Sequence, residues 1–217
     1  MGGGAVESAF RQGDLGGLVL IETLGWDGRD LPRLDLHLGR LAASAARLGW
    51  TCDIDKAARA LRDATPSAPA RMRLTLDAGG RVAVTAAPMP APARQWRVTM
   101  STERLDPADP WLTLKSSRRA AYDAARAALA PGIDEAILTN TRGEVCDGSI
   151  TTLFFDAGRG LCTPPRSAGL LPGVLRAEML ALGRCREAAL AARDLPKVRL
   201  WLGNALRGLI PAVFVPA

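Results

Sequence analysis

The sequence predicts an α/β fold with mixed sheets in two domains. Three observations carry this expectation: strand-like apolar runs alternate with amphipathic stretches of helical period, a β-hairpin signal lies among them, and a proline-rich segment divides the chain. Leu18 to Leu24 reads as a buried strand, and Gly25-Trp26-Asp27-Gly28 as the turn after it. Leu34, Leu38, Leu41, Ala45 and Leu48 recur at spacings of four and three, so residues 35–48 should form an amphipathic helix with Asp35 as N-cap and Gly49 as stop. A second helix is expected over 53–63, ending before Pro66. Residues 71–76 and 81–85, joined by Asp77-Ala78-Gly79-Gly80, read as a hairpin.

Pro88, Pro90 and Pro92 stand at alternate positions, where they can neither continue a helix nor pair as a central strand. The expected organisation is therefore a small α/β domain over 1–87, a linker over 88–94 and a larger α/β domain over 95–217. In the second domain, 96–102 is expected as a strand, Trp111 to Leu114 as an apolar strand giving way to a helix over 117–129, and Pro131-Gly132 as its stop. Residues 133–139, 149–155 and 161–163 look like strands, 174–182 like a helix directly after Pro172-Gly173, and 199–202 like a late strand. No internal repeat is visible.

Composition bounds the function. With 217 residues, 48% of them apolar, the chain can bury real cores. Its longest apolar runs fall short of the roughly 18 to 20 residues a membrane span requires, and Met1-Gly2-Gly3-Gly4 lacks the charged start and apolar stretch of a secretory signal, so a cytoplasmic protein without a membrane partner is expected. Cys52, Cys146, Cys162 and Cys185 are far apart and have only His37 for company, which argues for free thiols and no metal site. The formal charge of +6 invites a nucleic-acid partner. Arginines are nevertheless spread along the chain with few aromatics beside them, so an anionic small molecule drawn by a positive field is the better expectation.

The 28 basic side chains include only three lysines, Lys56, Lys115 and Lys197. Lys115 ends the apolar run Trp111-Leu112-Thr113-Leu114 and precedes Ser116, Ser117, Arg118 and Arg119. Arginine cannot act as an amine nucleophile because its guanidinium stays charged, whereas a lysine near other cations can lose its proton and attack a carbonyl. An ordinary strand-end lysine would look the same in isolation.

The segments downstream of Lys115 separate the two readings. Gly143-Glu144-Val145-Cys146-Asp147-Gly148-Ser149 comes first, then Thr163-Pro164-Pro165, then Gly169-Leu170-Leu171-Pro172-Gly173-Val174-Leu175-Arg176. Upstream lie Glu22-Thr23-Leu24, Asp27-Gly28 and Arg33-Leu34-Asp35-Leu36-His37-Leu38-Gly39-Arg40-Leu41, and near the end Gly203-Asn204-Ala205-Leu206-Arg207-Gly208-Leu209-Ile210-Pro211-Ala212. This order resembles the class IV aminotransferases, the fold-type-IV pyridoxal-phosphate (PLP) enzymes, over about residues 18 to 215. The segment near the end is similar to the aminodeoxychorismate lyase-like branch.

The resemblance implies a two-domain, D-amino-acid aminotransferase-like fold with its active site in the interdomain cleft, a homodimer and a PLP cofactor. It implies that Lys115 bonds the cofactor aldehyde and moves the proton, and that Asp147 stands where the family usually has the glutamate that pairs with the pyridine nitrogen. Arg40 and the backbone amides of Val174 and Leu175 would hold the phosphate, the amides lying at a helix N-terminus, and Leu171 would pack against the ring. His37 lies one turn before Arg40, where domain packing is expected of it. The chain departs from the family at Leu175, where threonine is frequent, and at Thr152, where asparagine is frequent. No tyrosine follows Lys115 at the usual short spacing, and residues 11–17 look like a shortened form of the family's opening strand and turn.

The activity implied is that of a 4-amino-4-deoxychorismate lyase, forming 4-aminobenzoate and pyruvate for folate precursor synthesis from a small-molecule carboxylate substrate. The alternative is an aminotransferase acting on branched-chain or D-amino acids. A basic anion- or nucleic-acid-binding protein, with Lys115, Arg118 and Arg119 as a surface patch, would leave the ordered motifs unexplained.

Overall fold

The computed structural model describes residues 16–216. The expectations for Met1–Gly4 and for Arg11 to Leu15 lie outside the described residues. Contacts group the chain into two compact units: the first runs to Ala91 and also takes in Leu114–Arg118, and the second comprises Pro92–Thr113 and the chain from Arg119 onward.

In the first unit, β1 (Val19–Trp26), β2 (Ala70–Asp77) and β3 (Val82–Pro88) form an antiparallel sheet in that order. Along β2, Ala70, Met72, Leu74 and Leu76 are buried while Arg71 and Arg73 are exposed, the alternation of a sheet covered on one face. The cover is α1 (Leu34–Leu48) and α2 (Ile54–Asp63), whose Leu41, Ala45, Ala57 and Leu61 complete the core. Asp53 caps α2, its carboxylate accepting from Lys56 N–H at 2.8 Å. Asp35 does not cap α1 as expected: the N-cap is Arg33, held at φ 62°, and Asp35 falls in the first turn, where its charge still complements the helix dipole. Pro88 ends β3 rather than opening a linker, which costs nothing at the end of an edge strand.

Residues 114–118 add an extended segment beside β1. Ile21 N–H donates to the Lys115 carbonyl at 2.8 Å and Ser117 N–H to the Val19 carbonyl at 2.9 Å. The apolar run before it is not a strand: Pro110–Thr113 is a 3₁₀ turn, started by Asp109 accepting from Trp111 N–H and closed by the Thr113 hydroxyl on the Pro110 carbonyl. The helix expected over 117–129 shortens for a related reason, because Ser116 and Ser117 are committed to pairing with β1; α3 spans Ala120–Ala127.

The second unit holds an eight-stranded mixed sheet built from β4 (Trp96–Leu105), β5 (Glu135–Asn140), β6 (Val145–Gly148), β7 (Thr152–Asp156), β8 (Cys162–Thr163), β9 (Arg186–Glu187), β10 (Arg199–Asn204) and β11 (Gly208–Phe214). Their order is β6-β5-β4-β11-β10-β7-β8-β9, with β4 parallel to both β5 and β11 and β8 parallel to β9. Every residue of β5 is buried: Ile137 joins a core with Val98, Leu153 and Leu202, while Ala136 and Leu138 join another with Tyr122 of α3, Cys146 and Leu170. α4 (Val174–Ala181) packs Leu175 and Met179 on Phe154. The strand expected over 149–155 begins only at Thr152, as β7, because Ser149–Thr151 form a turn on which the site depends; β6, before that turn, is a strand the sequence did not announce.

Candidate active site

Lys115 and Arg40 belong to the first unit, and Asp147, Leu171, Val174 and Leu175 to the second. Pairing of Leu20 with Ser116 places those two side chains on one face of the sheet, so strand alternation turns the half-buried Lys115 side chain to the face of Ile21.

On the helix-covered face, Glu22 lies mid-strand, 2% exposed, and takes two hydrogen bonds from Arg40: Nε to Oε1 at 2.8 Å and an Nη to Oε2 at 2.6 Å. His37 Nδ1 also meets Oε2 at 2.6 Å. Such a fork-on-fork pair fixes the guanidinium plane as well as neutralising it. Burial raises the Glu22 pKa, but the Arg40 charge and the His37 and Arg40 hydrogen bonds outweigh it and hold the carboxyl below its ordinary range. Glu22 thus serves as the anchor for the arginine one helix away.

In the second unit Asp147 sits in β6, 3% exposed. Burial pushes its pKa well up, backbone N–H groups of Leu171 and Gly148 pull it back, and the Glu135 carboxylate adds to the rise. Its Oδ1 has no hydrogen-bond partner among the described residues. A buried acceptor left unmade is costly, and a cationic N–H donor brought to it would supply both the missing hydrogen bond and the countercharge. The pyridine nitrogen of PLP, when protonated, is such a donor, so the residue present fits the group. Leu171 is half-buried, its N–H already on Asp147, and its neighbour Leu170 is fully buried in the core that holds Cys146.

Val174 and Leu175 open α4, where the first amides have no intrahelical acceptor. Before them Gly173 lets the Thr152 hydroxyl come close: a Cβ on Gly173 would lie 2.7 Å from Thr152 Oγ1. The Leu175 side chain is core, packed with Phe154 and Met179, so a ligand would meet its amide and not a hydroxyl. Asn204 ties the late motif to this region, donating to the Ile150 carbonyl at 3.2 Å while its Oδ1 accepts from Leu206 and Arg207 N–H. Glu135, which sequence reasoning placed only in a strand, is the residue it missed. An acid opening an otherwise uncharged, fully buried strand was the available signal.

The profile of Amino-transferase class IV matches residues 19–214. The chain belongs to that family. It is a PLP-dependent enzyme. Among solved structures it is similar to a provisionally assigned amino-acid aminotransferase from Mesorhizobium loti, at 44% identity and TM-score 0.87 over 91% of this chain and 100% of that one. A PLP-bound hypothetical aminotransferase from Mycobacterium tuberculosis shares 25% identity at TM-score 0.78, over 90% of this chain and 80% of that one. The 4-amino-4-deoxychorismate lyase of Pseudomonas aeruginosa shares the fold, at 23% identity and TM-score 0.74, over 90% and 82% of the two chains. No curated protein matches the chain. Among the described residues no helix is long and apolar enough to cross a membrane.

Proposed function

We propose that this enzyme is a PLP-dependent lyase of the 4-amino-4-deoxychorismate lyase type, releasing pyruvate and 4-aminobenzoate. The observation that carries the cofactor chemistry is the partnerless Oδ1 of buried Asp147, and the Gly203–Ala212 segment favours the lyase branch. Bound PLP supplies an aldehyde for the substrate amine and a protonated ring that withdraws electrons from the neighbouring bonds. Asp147 keeps the proton on the ring nitrogen. Lys115 would hold the cofactor through its amine and would carry the proton taken from the substrate carbon. Arg40, oriented by Glu22, and the Val174 and Leu175 amides hold the phosphate, and Leu171 walls the ring. A homodimer in the cytoplasm completes this proposal.

The M. loti relative favours a second reading, transamination of an amino acid. The two differ in what completes a turnover. Loss of pyruvate lets the amine leave with an aromatic product, so no oxo acid is needed. The test is to incubate the PLP-loaded protein with aminodeoxychorismate alone and follow pyruvate and 4-aminobenzoate. Many turnovers are expected. If aminodeoxychorismate is untouched while branched-chain or D-amino acids turn over only with added 2-oxoglutarate or pyruvate, the aminotransferase reading replaces it.

A further inference from the structure

Between β6 and β7 the chain makes a turn around a buried carboxylate. Glu135 opens β5 and is 0% exposed. Its Oε1 accepts from Ala136 N–H at 3.0 Å, from Ser149 N–H at 3.1 Å and, in a short contact, from the Ser149 hydroxyl. Its Oε2 accepts from Ile150 N–H at 3.2 Å and from the Thr151 hydroxyl at 2.8 Å. The Arg126 guanidinium stands 3.6 Å away as a partly exposed counterion, and Arg119 donates to the Ser149 carbonyl at 2.7 Å. Gly148 N–H closes the turn on the Thr151 carbonyl at 2.7 Å. Glycine is required there, because a Cβ would lie 3.2 Å from Glu135 Oε2 and collide with the Thr151 hydroxyl.

Three consecutive residues thus turn their donors inward on one carboxylate, which a surface turn has no reason to do. Buried carboxylates persist when their lone pairs are filled, and here the filling comes from Ser149 to Thr151, immediately after Asp147 and Gly148. We propose that Glu135 is the positioning residue for Asp147: by gathering the Ser149–Thr151 donors it fixes the turn that ends β6, and so fixes the Asp147 carboxyl with Oδ1 open to a ligand. A full set of donors inside the turn also means that none of them bends back to fill Oδ1. The charge of Glu135 acts in the same direction, since it opposes a second unpaired negative charge on Asp147 and makes that site hold out for a cation or a proton. The other titratable groups around Asp147 are Arg176 of α4, Tyr122 of α3 and Cys146 of its own strand.

The inference rests on the reading of Asp147 as the ring-nitrogen partner, but it is tested without cofactor. In the full-length apo protein labelled with ¹³C at aspartate carboxyls, the Asp147 signal is the one missing from D147N. Its titration midpoint in wild type should stand above the other aspartates. In E135Q it should fall by about one pH unit or more, as expected when one neighbouring buried charge is removed. E135D, which keeps the charge, should restore most of the wild-type midpoint. A folded E135Q with an unchanged Asp147 midpoint overturns the inference. Should E135Q fail to fold, T151V, which removes one donor and leaves the charge, should still lower the midpoint by loosening the turn, and an unchanged midpoint there overturns it equally. A protein that titrates as described yet takes up no PLP would sink the cofactor assignment of Asp147 and leave the Glu135 device standing.

Discussion

Replacing Glu22 by Gln removes one charge from a buried three-residue network without changing its volume. The amide oxygen can still accept from Arg40 Nε, but the amide nitrogen must then face both the Arg40 Nη and His37 Nδ1, which now approach Oε2 at 2.6 Å each. At least one charge-assisted hydrogen bond is lost, worth about 1.5–3 kcal/mol, and the buried Glu22 charge that faces Arg40 is removed. Breaking a buried pair on one side costs about 3–5 kcal/mol. The Arg40 side chain is 13% exposed and can recover some hydration, so about 3 kcal/mol is expected at neutral pH, at the lower end of that range. The pH dependence gives the decisive test. The Glu22 pKa is lowered on folding, so the unfolded chain binds more protons in the acid range, and stability rises with pH there. That contribution is complete above the ordinary glutamate value of 4.5 and is lost as pH falls through the folded value. Urea unfolding followed by tryptophan fluorescence should therefore show a wild-type advantage over E22Q that is full at pH 7 and shrinks steadily below about pH 4.5. An advantage that is absent at pH 7, or that persists undiminished at pH 3, would refute the argument.

Asp147 carries the opposite sign. Its pKa is raised on folding, so stability falls as pH rises from the ordinary aspartate value through the folded one, and apo D147N should be at least as stable as wild type at pH 7 while losing most of its turnover; a D147N that melts well below wild type at pH 7 contradicts this. Borohydride treatment of the PLP-loaded protein should fix cofactor to Lys115, and K115A should take up PLP reversibly but turn over nothing; peptide mapping to Lys56 or Lys197 would be the contrary result. G173A should weaken PLP affinity in equilibrium titration with little change in melting temperature of the core, because its Cβ, 2.7 Å from Thr152 Oγ1, must push apart the Thr152 hydroxyl and the start of α4. An unaltered affinity would separate that helix from the phosphate.

Much of the architecture was legible in the chain because it depends on local rules. The leucine spacing of α1, the short helix α2 before Pro66 and the β2–β3 hairpin depend on residues within a few positions of one another. So did the order of motifs, which identified the family. Sequence could not decide where long-range partners override local preference. Trp111 to Leu114 has the composition of a strand, yet Asp109 and Pro110 curl it into a 3₁₀ turn, and extended pairing begins only one residue later where Lys115 and Ser117 find β1, almost a hundred residues upstream. Asp35 has the right chemistry for an N-cap, but the path of the chain through Arg33 starts the helix earlier. Glu22 was a strand acid and Arg40 a helix arginine until the packing of α1 on β1 made them one buried pair. Glu135 was more opaque still, since nothing near it in sequence announces that Ser149, Ile150 and Thr151 will converge on its carboxylate. Hydrophobic period and turn chemistry are properties of neighbours along the chain and are written there. A buried charge is tolerated only when distant donors arrive together, and only the tertiary structure decides whether they do.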